Sequence, residues 1–221
     1  MPNDPADFIR ANTEIATPPL VPEIRLYLAS EVTTLWQMTE VELGRANVPP
    51  PYWAFAWPGG QALARYLLDR PDLVRGKRVM DIGAGSGLAA IAALKAGAAH
   101  AAALEIDPFA ANAIYLNGAL NGAAPSVSMW DFSAITGFPR SPERPDIILI
   151  GDMCYERPLA ERLLGWLQAV AADGIDVLLG DPGRAYLPPD GLELLANYDV
   201  PTSLDLEDRT VRRTSVYRWR A

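Results

Sequence analysis

Through the middle of the chain, short apolar runs alternate with longer stretches whose apolar residues recur at helical spacing. Continuous apolar runs bounded by glycine, proline or charge mark strands buried on both faces, and 3.6-residue spacing marks the helices that cover them. The pattern predicts strands over 78–82, 101–105, 126–129, 146–152 and 176–181, and helices over 61–68, 88–95, 109–121, 159–171 and 192–197. Such alternation calls for a parallel sheet with helices on both sides. The end of the chain differs. In "NYDVPTSLDLEDRTVRRTSVYRWR" two extended runs rich in Val, Thr, Tyr and Trp flank "LEDR", the pattern of an antiparallel hairpin. The expected fold class is therefore α/β: a doubly wound, mostly parallel sheet with a C-terminal antiparallel hairpin. Upstream, 24–42 has helical spacing in part, and the three prolines of "NVPPPY" end it. No internal repeat or low-complexity linker splits the chain. Residues 1–50 are expected to form a partly helical N-terminal extension, and 51–221 one domain.

Composition narrows the function. With 221 residues, half of them hydrophobic, the chain can bury a sizeable core. Its 19 basic and 27 acidic residues leave a net charge of −8, with the acids spread along the chain. A duplex-binding surface needs a clustered basic face, so no nucleic-acid partner is expected, whereas a lysine-bearing protein would be attracted. The sole cysteine, Cys154, permits no intrachain disulfide and points to a reducing compartment. No apolar run approaches the roughly 20 residues of a membrane span. "MPNDPADFIRANTEIATPP" fits neither a signal nor a basic transit peptide, so the expected localisation is cytoplasmic, with no membrane partner. The sole histidine, His100, reads as an exposed turn residue, and Cys154, with no histidine nearby, as a small packed one. Hydrolase triads and histidine-rich metal sites are thereby disfavoured, and no metal is expected.

The chemistry concentrates in "RVMDIGAGSGLAAIAALKAGA", which runs from a strand through Gly83, Gly85 and Gly87 into an alanine-rich helix. A dinucleotide fingerprint needs G-x-G-x-x-G, but position 88 is leucine, and no Walker-type lysine follows the loop. Asp81 precedes the glycines, Glu105 closes the next strand, and Asp107 stands before Pro108. Asp107 suits either a helix cap or a place lining the ligand. "MWDF", with Trp130, Asp131 and Phe132, follows the third strand. In this order, over about 52–181, these features resemble the class I, seven-stranded S-adenosylmethionine-dependent methyltransferases, with their Rossmann-like fold. The resemblance implies that the three glycines turn the backbone closely beneath the cofactor and that Asp81 helps hold its methionine portion. Glu105 would accept from the ribose hydroxyls and Asp131 from the adenine amino group, with Trp130 or Phe132 against the ring.

A fourth motif, "LIGDMCYERP", ends the next strand. Many nitrogen methyltransferases place Asp/Asn-Pro-Pro-Tyr there. Asp152-Met153-Cys154-Tyr155 lacks the prolines and is similar to the D-x-x-Y/F of the protein-lysine group. "PPPYWAFAWPGGQALARYL" resembles that group's signature, in which Trp57, Pro58 and Gly59–Gly60 precede the helix that closes over the cofactor. Together with "GDPGRAYLP", it looks most like the enzymes that methylate lysines of the electron transfer flavoprotein β-subunit and their bacterial relatives. That resemblance implies a protein-lysine N-methyltransferase with this β-subunit as partner. The displacement needs a neutral amine and no metal, while free lysine has a pKa of about 10.4. Asp152 is expected to capture and orient the lysine, and Tyr155 to shape its channel. Asp181, Arg184 and Tyr186 read equally as a substrate rim or an ordinary turn. Two alternatives stand beside the protein-lysine reading. One is a small-molecule amine N-methyltransferase, disfavoured because little sequence is left for a capping domain. The other is a catalytically silent binding module, disfavoured because Glu105 and Asp152 are both present.

Overall fold

The computed structural model describes residues 4–30, 50–135, 143–204 and 206–220. The chain opens with helix α1 (Pro5–Asn12), started by Asp4, which accepts the Ala6 N–H, and by a proline in the first turn. It continues into an antiparallel ribbon of β1 (Glu14–Ala16) and β2 (Leu26–Leu28). The helical spacing noted over 24–42 thus begins in a strand, and 31–49 lie outside the described residues. Phe8 of α1 meets Phe109 edge-on at 5.3 Å and anchors the extension to the body.

The body follows the predicted alternation. Helix α2 (Pro58–Asp69) leads into β3 (Arg78–Ile82), α3 (Leu88–Lys95), β4 (His100–Glu105), α4 (Pro108–Leu120) and β5 (Ser126–Met129). Then come β6 (Ile147–Gly151), α5 (Arg157–Ala172), β7 (Asp176–Asp181), β8 (Leu192–Pro201) and β9 (Val211–Trp219). The seven-stranded sheet has the order β5-β4-β3-β6-β7-β9-β8. Pairings from β5 to β7 are parallel, and β9 inserts antiparallel between β7 and β8.

Period-2 geometry explains the core. Ile147 and Leu149 of β6 pack with Leu63 and Leu67 of α2 and Ala90 of α3, while Ile148 and Ile150 pack with Leu163, Trp166 and Leu167 of α5. All four β6 residues are at most 1% exposed, and burying each such side chain contributes about 1.5–3 kcal/mol. No helix among the described residues is long and apolar enough to cross a membrane.

Two expectations are corrected. The helix predicted over 192–197 is the first half of β8. Its leucines and alanine suit a helix, but the ladder to β9, from Leu192 opposite Trp219 to Pro201 opposite Val211, overrides local propensity. His100 is not a free turn residue: it opens β4, is half-buried, and its Nε2 shares a hydrogen bond with Ser126 Oγ.

Glycines let α2 rest on the sheet's carboxyl edge. A Cβ on Gly180 of β7 would run into the Gly59 carbonyl and stand 2.8 Å from Leu63 Cγ, and one on Gly151 would stand 3.1 Å from the Gly60 nitrogen. Only bare backbone permits that approach, which carries the start of α2 to the ends of β6 and β7.

Candidate active site

Strand order reverses between β3 and β6, and there the carboxyl ends of β3 to β6, with Arg184 of the loop after β7, surround a cavity of about 320 Å³. Open α/β sheets place ligands at such a switch point. All eleven residues singled out from the sequence can be located. Trp57, Asp81, Gly83, Gly85, Glu105, Asp107, Trp130, Asp131, Asp152 and Tyr155 line the cavity. Gly87 does not: it begins α3 with φ +77°, and a Cβ there would lie 3.1 Å from Ile114, so its bareness serves helix packing.

The floor is the glycine loop. Gly83 and Gly85 have φ of +61° and +52°, a left-handed region costly to residues with a Cβ. Asp81, 3% exposed, accepts the Ala90 N–H at 3.0 Å and so braces the start of α3. Burial pushes its carboxyl up to about 7, opposed by that hydrogen bond, with Glu105 adding repulsion. Glu105 is held by backbone donors: Gly85 N–H at 2.9 Å on one oxygen, and Ile106 and Asp107 N–H at 2.8 and 3.3 Å on the other. It therefore ties the end of β4 to the glycine loop. Asp107 caps α4 through the Phe109 N–H and also lines the cavity. Burial raises it to about 6.

One rim is formed by Trp130 and Asp131. Trp130 is 61% exposed, and Phe132, the other aromatic considered, is buried against Trp166. Asp131 accepts from Ser133 and pairs with Arg162 at 3.1 Å. Burial would raise its carboxyl, but those donors hold it below the ordinary value.

The opposite wall is aromatic. Trp57 donates its indole N–H to the Tyr52 carbonyl at 2.8 Å, and Tyr52 and Tyr155 lie 5.5 Å apart across the wall. Burial, then the neighbouring Tyr52, raises the Tyr155 phenol, keeping it neutral. Behind stands Asp152, 8% exposed and itself at φ +54°. One of its oxygens takes two N–H groups of Arg184, at 3.0 and 2.8 Å, and the other takes the Gly59 N–H at the start of α2. Burial raises Asp152 to about 6 against the pull of Arg184. Cys154 is buried among Ile150, Leu163 and Trp166, and burial lifts its thiol to about 12, so it is a packing residue.

Arg184 belongs to the cavity wall, and neither of its two sequence readings named Asp152 as its partner. Asp181 accepts the N–H groups of Gly183 and Arg184 at 2.7 Å each, shaping the loop that delivers it. Tyr186 is more than a third exposed and stacks with Arg157. Tyr52, Trp53 and Phe55 also line the cavity, signalled only by the aromatic density of "PPPYWAFAW".

Several known proteins are similar. The family described as ribosomal protein L11 methyltransferase (PrmA) matches residues 62–149. An electron transfer flavoprotein β-subunit lysine methyltransferase from Xenopus laevis is 41% identical over 96% of this chain and 86% of its own length. The Danio rerio protein of the same description is 39% identical over 98% and 84%. Among solved structures, the ribosomal protein L11 methylase of Lactobacillus delbrueckii superposes with a TM-score of 0.51 at 22% identity, over 75% of this chain and 80% of that one. Magnesium protoporphyrin IX methyltransferase of Synechocystis, solved with bound S-adenosylhomocysteine, gives 0.50 at 13% identity, over 73% and 82%, a likeness of fold.

Proposed function

The chain belongs to the electron transfer flavoprotein β-subunit lysine methyltransferase family, class I S-adenosylmethionine-dependent enzymes, and from that premise we propose that it methylates lysine side chains of that β-subunit. The observation that carries the reading is one cavity joining the glycine loop and Glu105 to an aromatic wall backed by a buried carboxylate, Asp152.

The residues fit the cofactor. The cavity lies within the range of small-molecule sites, and a Cβ on Gly85 would project into it with no atom nearer than 3.9 Å. Gly83, Gly85, Asp81 and Glu105 would hold the methionine and ribose portions, and Trp130, Asp131 and Asp107 the adenosine end. When bound, S-adenosylmethionine supplies a methyl group on a sulfonium centre, delivered in one displacement to a neutral amine.

The chain's own task is to present that amine. A lysine ammonium must lose a proton to solvent, and a desolvated, aromatic-lined channel favours the neutral form. Tyr52, Trp57 and Tyr155 form the wall of that channel and exclude water. Asp152 orients the amine by accepting one of its N–H groups: Arg184 and Gly59 use three of the four or so acceptor sites of a carboxylate, leaving one. Acceleration then rests on alignment. We assign residues 51–221 to the methyltransferase domain and 1–50 to the extension, and propose a reducing compartment, read as the cytoplasm, in which the single cysteine stays a thiol.

The test of Asp152 is the Asp152→Ala variant, with cofactor affinity measured beside turnover on the recombinant β-subunit. Turnover should fall at least about a hundredfold with cofactor affinity kept within about threefold, a loss of the size alignment supplies. Full turnover would remove Asp152 from the site.

A further inference from the structure

Asp152, the carboxylate expected to take a cationic lysine, already has a cation. Arg184 reaches it from the loop after β7 with two N–H groups on one oxygen. The same guanidinium binds Glu207, between β8 and β9, at 2.6 and 3.2 Å. Glu207, 5% exposed, also takes Arg212 at 3.0 Å, and the Arg184 guanidinium stands over the Trp57 ring at 5.7 Å. Arg184 thus joins the β6 loop, the hairpin and the aromatic wall at the cavity's edge.

The charges facing Asp152 can be named. Its own loop contributes Cys154 and Tyr155, both protonated. The end of β7 contributes Asp181 and Arg184, the hairpin Glu207 and Arg212, and α2 the positive end of its helix at Gly59. Arg212 is shared with Asp208 at 3.0 Å, so Arg184 is the guanidinium that pairs with Asp152 directly. Without Arg184 the bound lysine itself would become the counter-charge of Asp152, and a carboxylate so paired stabilises ammonium, the form unable to attack.

We propose that Arg184 is a positioning residue for methyl transfer: it cancels the charge of Asp152, so that this carboxylate orients a neutral lysine amine without holding it as ammonium. The inference rests on the lysine-methylation reading above. It assigns the "GDPGRAYLP" loop a role in catalysis, acting through Asp152, where the sequence offered a rim or a turn. It also makes the hairpin, through Glu207 and Arg212, the backing that keeps the guanidinium in place. A lysine in its stead would retain the charge but not the fork that grips Asp152 and Glu207 together.

The test compares wild type, Arg184→Gln and Arg184→Lys by pH profiles of kcat and KM on the recombinant electron transfer flavoprotein β-subunit, with cofactor affinity and thermal unfolding alongside. Arg184→Gln should lower kcat about tenfold near neutral pH and move the acid limb of kcat upward by about one pH unit, the two being equivalent for a tenfold change in ionised fraction. KM for the protein and cofactor affinity should change less than about threefold, and activity should recover near pH 9. Arg184→Lys should restore most of the wild-type limb. An unshifted limb in Arg184→Gln, or a loss equal at every pH, would overturn the inference and leave Arg184 merely structural. If the glutamine variant unfolds, Arg184→Met, which keeps the apolar stem and removes the charge, takes its place: a limb moved upward supports charge compensation, and an unshifted limb opposes it. Absence of β-subunit methylation by the wild type would instead defeat the substrate reading, and this inference with it.

Discussion

Replacing Gly83 by alanine tests whether the floor of the cavity needs bare backbone. The residue sits at φ +61°, where an L side chain costs about 1–2 kcal/mol. The added Cβ would also stand 2.9 Å from Met153 Sδ and 3.3 Å from its Cε. Methionine is adaptable, so the sulfur gives way more cheaply than backbone would. Yet Met153 is buried, lines the cavity and adjoins Asp152, so its retreat disturbs both cofactor and substrate ends. Stability should fall by about 1–3 kcal/mol, lowering Tm by roughly 2–12 °C for a chain of this size. S-adenosylhomocysteine, the spent form of the cofactor, should bind at least about tenfold more weakly, a loss of about 1.4 kcal/mol. Thermal unfolding and isothermal titration read both quantities. Adding Met153→Ala relieves the overlap but not the dihedral strain, so it should recover part of the affinity and little of the Tm. Unchanged affinity and Tm in Gly83→Ala would refute the reasoning.

Gly180→Ala should be far more damaging, because its Cβ meets the Gly59 carbonyl, which cannot rotate away. A loss of about 3 kcal/mol or more is expected in urea unfolding, and a near-wild-type midpoint would count against the close approach of α2 to β7. Glu105→Gln removes the charge that three backbone N–H groups bind and should weaken S-adenosylmethionine about 10–100-fold in titration, whereas an undiminished affinity would displace Glu105 from the cofactor site. Asp81, Asp107 and Asp152 stand at about 7, 6 and 6, above the ordinary 3.8, so between about pH 4 and 7 the folded state binds more protons than the unfolded. Stability should therefore fall as pH rises through that window. Asp81→Asn should flatten the slope in unfolding curves taken across it, and an unaltered slope would show Asp81 to be ordinary.

Local signals carried most of the fold. Apolar runs and glycine punctuation marked β3, β4, β6 and β7, because strands buried on both faces read as continuous hydrophobic stretches. The first half of β8 was hidden: its leucines resemble a helix, and only pairing with the distant β9 makes them a strand. For the same reason "LEDR" announced a hairpin but not that β9 would insert beside β7. α1 was legible in principle, since Asp4 and Pro5 give a helix start. Among the cavity's lining, residues in compact motifs could be singled out from the sequence, as with Asp81, Glu105 and Asp152. Arg184 could be placed only at the rim, because its bonds to Asp152 and Glu207 span 32 and 23 residues of sequence. Gly87 illustrates the converse: its place in the motif suggested ligand contact, and its geometry serves the packing of Ile114.

Lysine methylation of the electron transfer flavoprotein β-subunit is the central claim, and mass mapping tests it most directly. The purified protein is incubated with S-adenosylmethionine and recombinant electron transfer flavoprotein, and every lysine of both subunits is mapped, with Asp152→Ala and Glu105→Ala in parallel. The account predicts methyl groups on β-subunit lysines that disappear in both variants. A β-subunit left unmodified by a wild-type protein that demonstrably binds S-adenosylmethionine would contradict it.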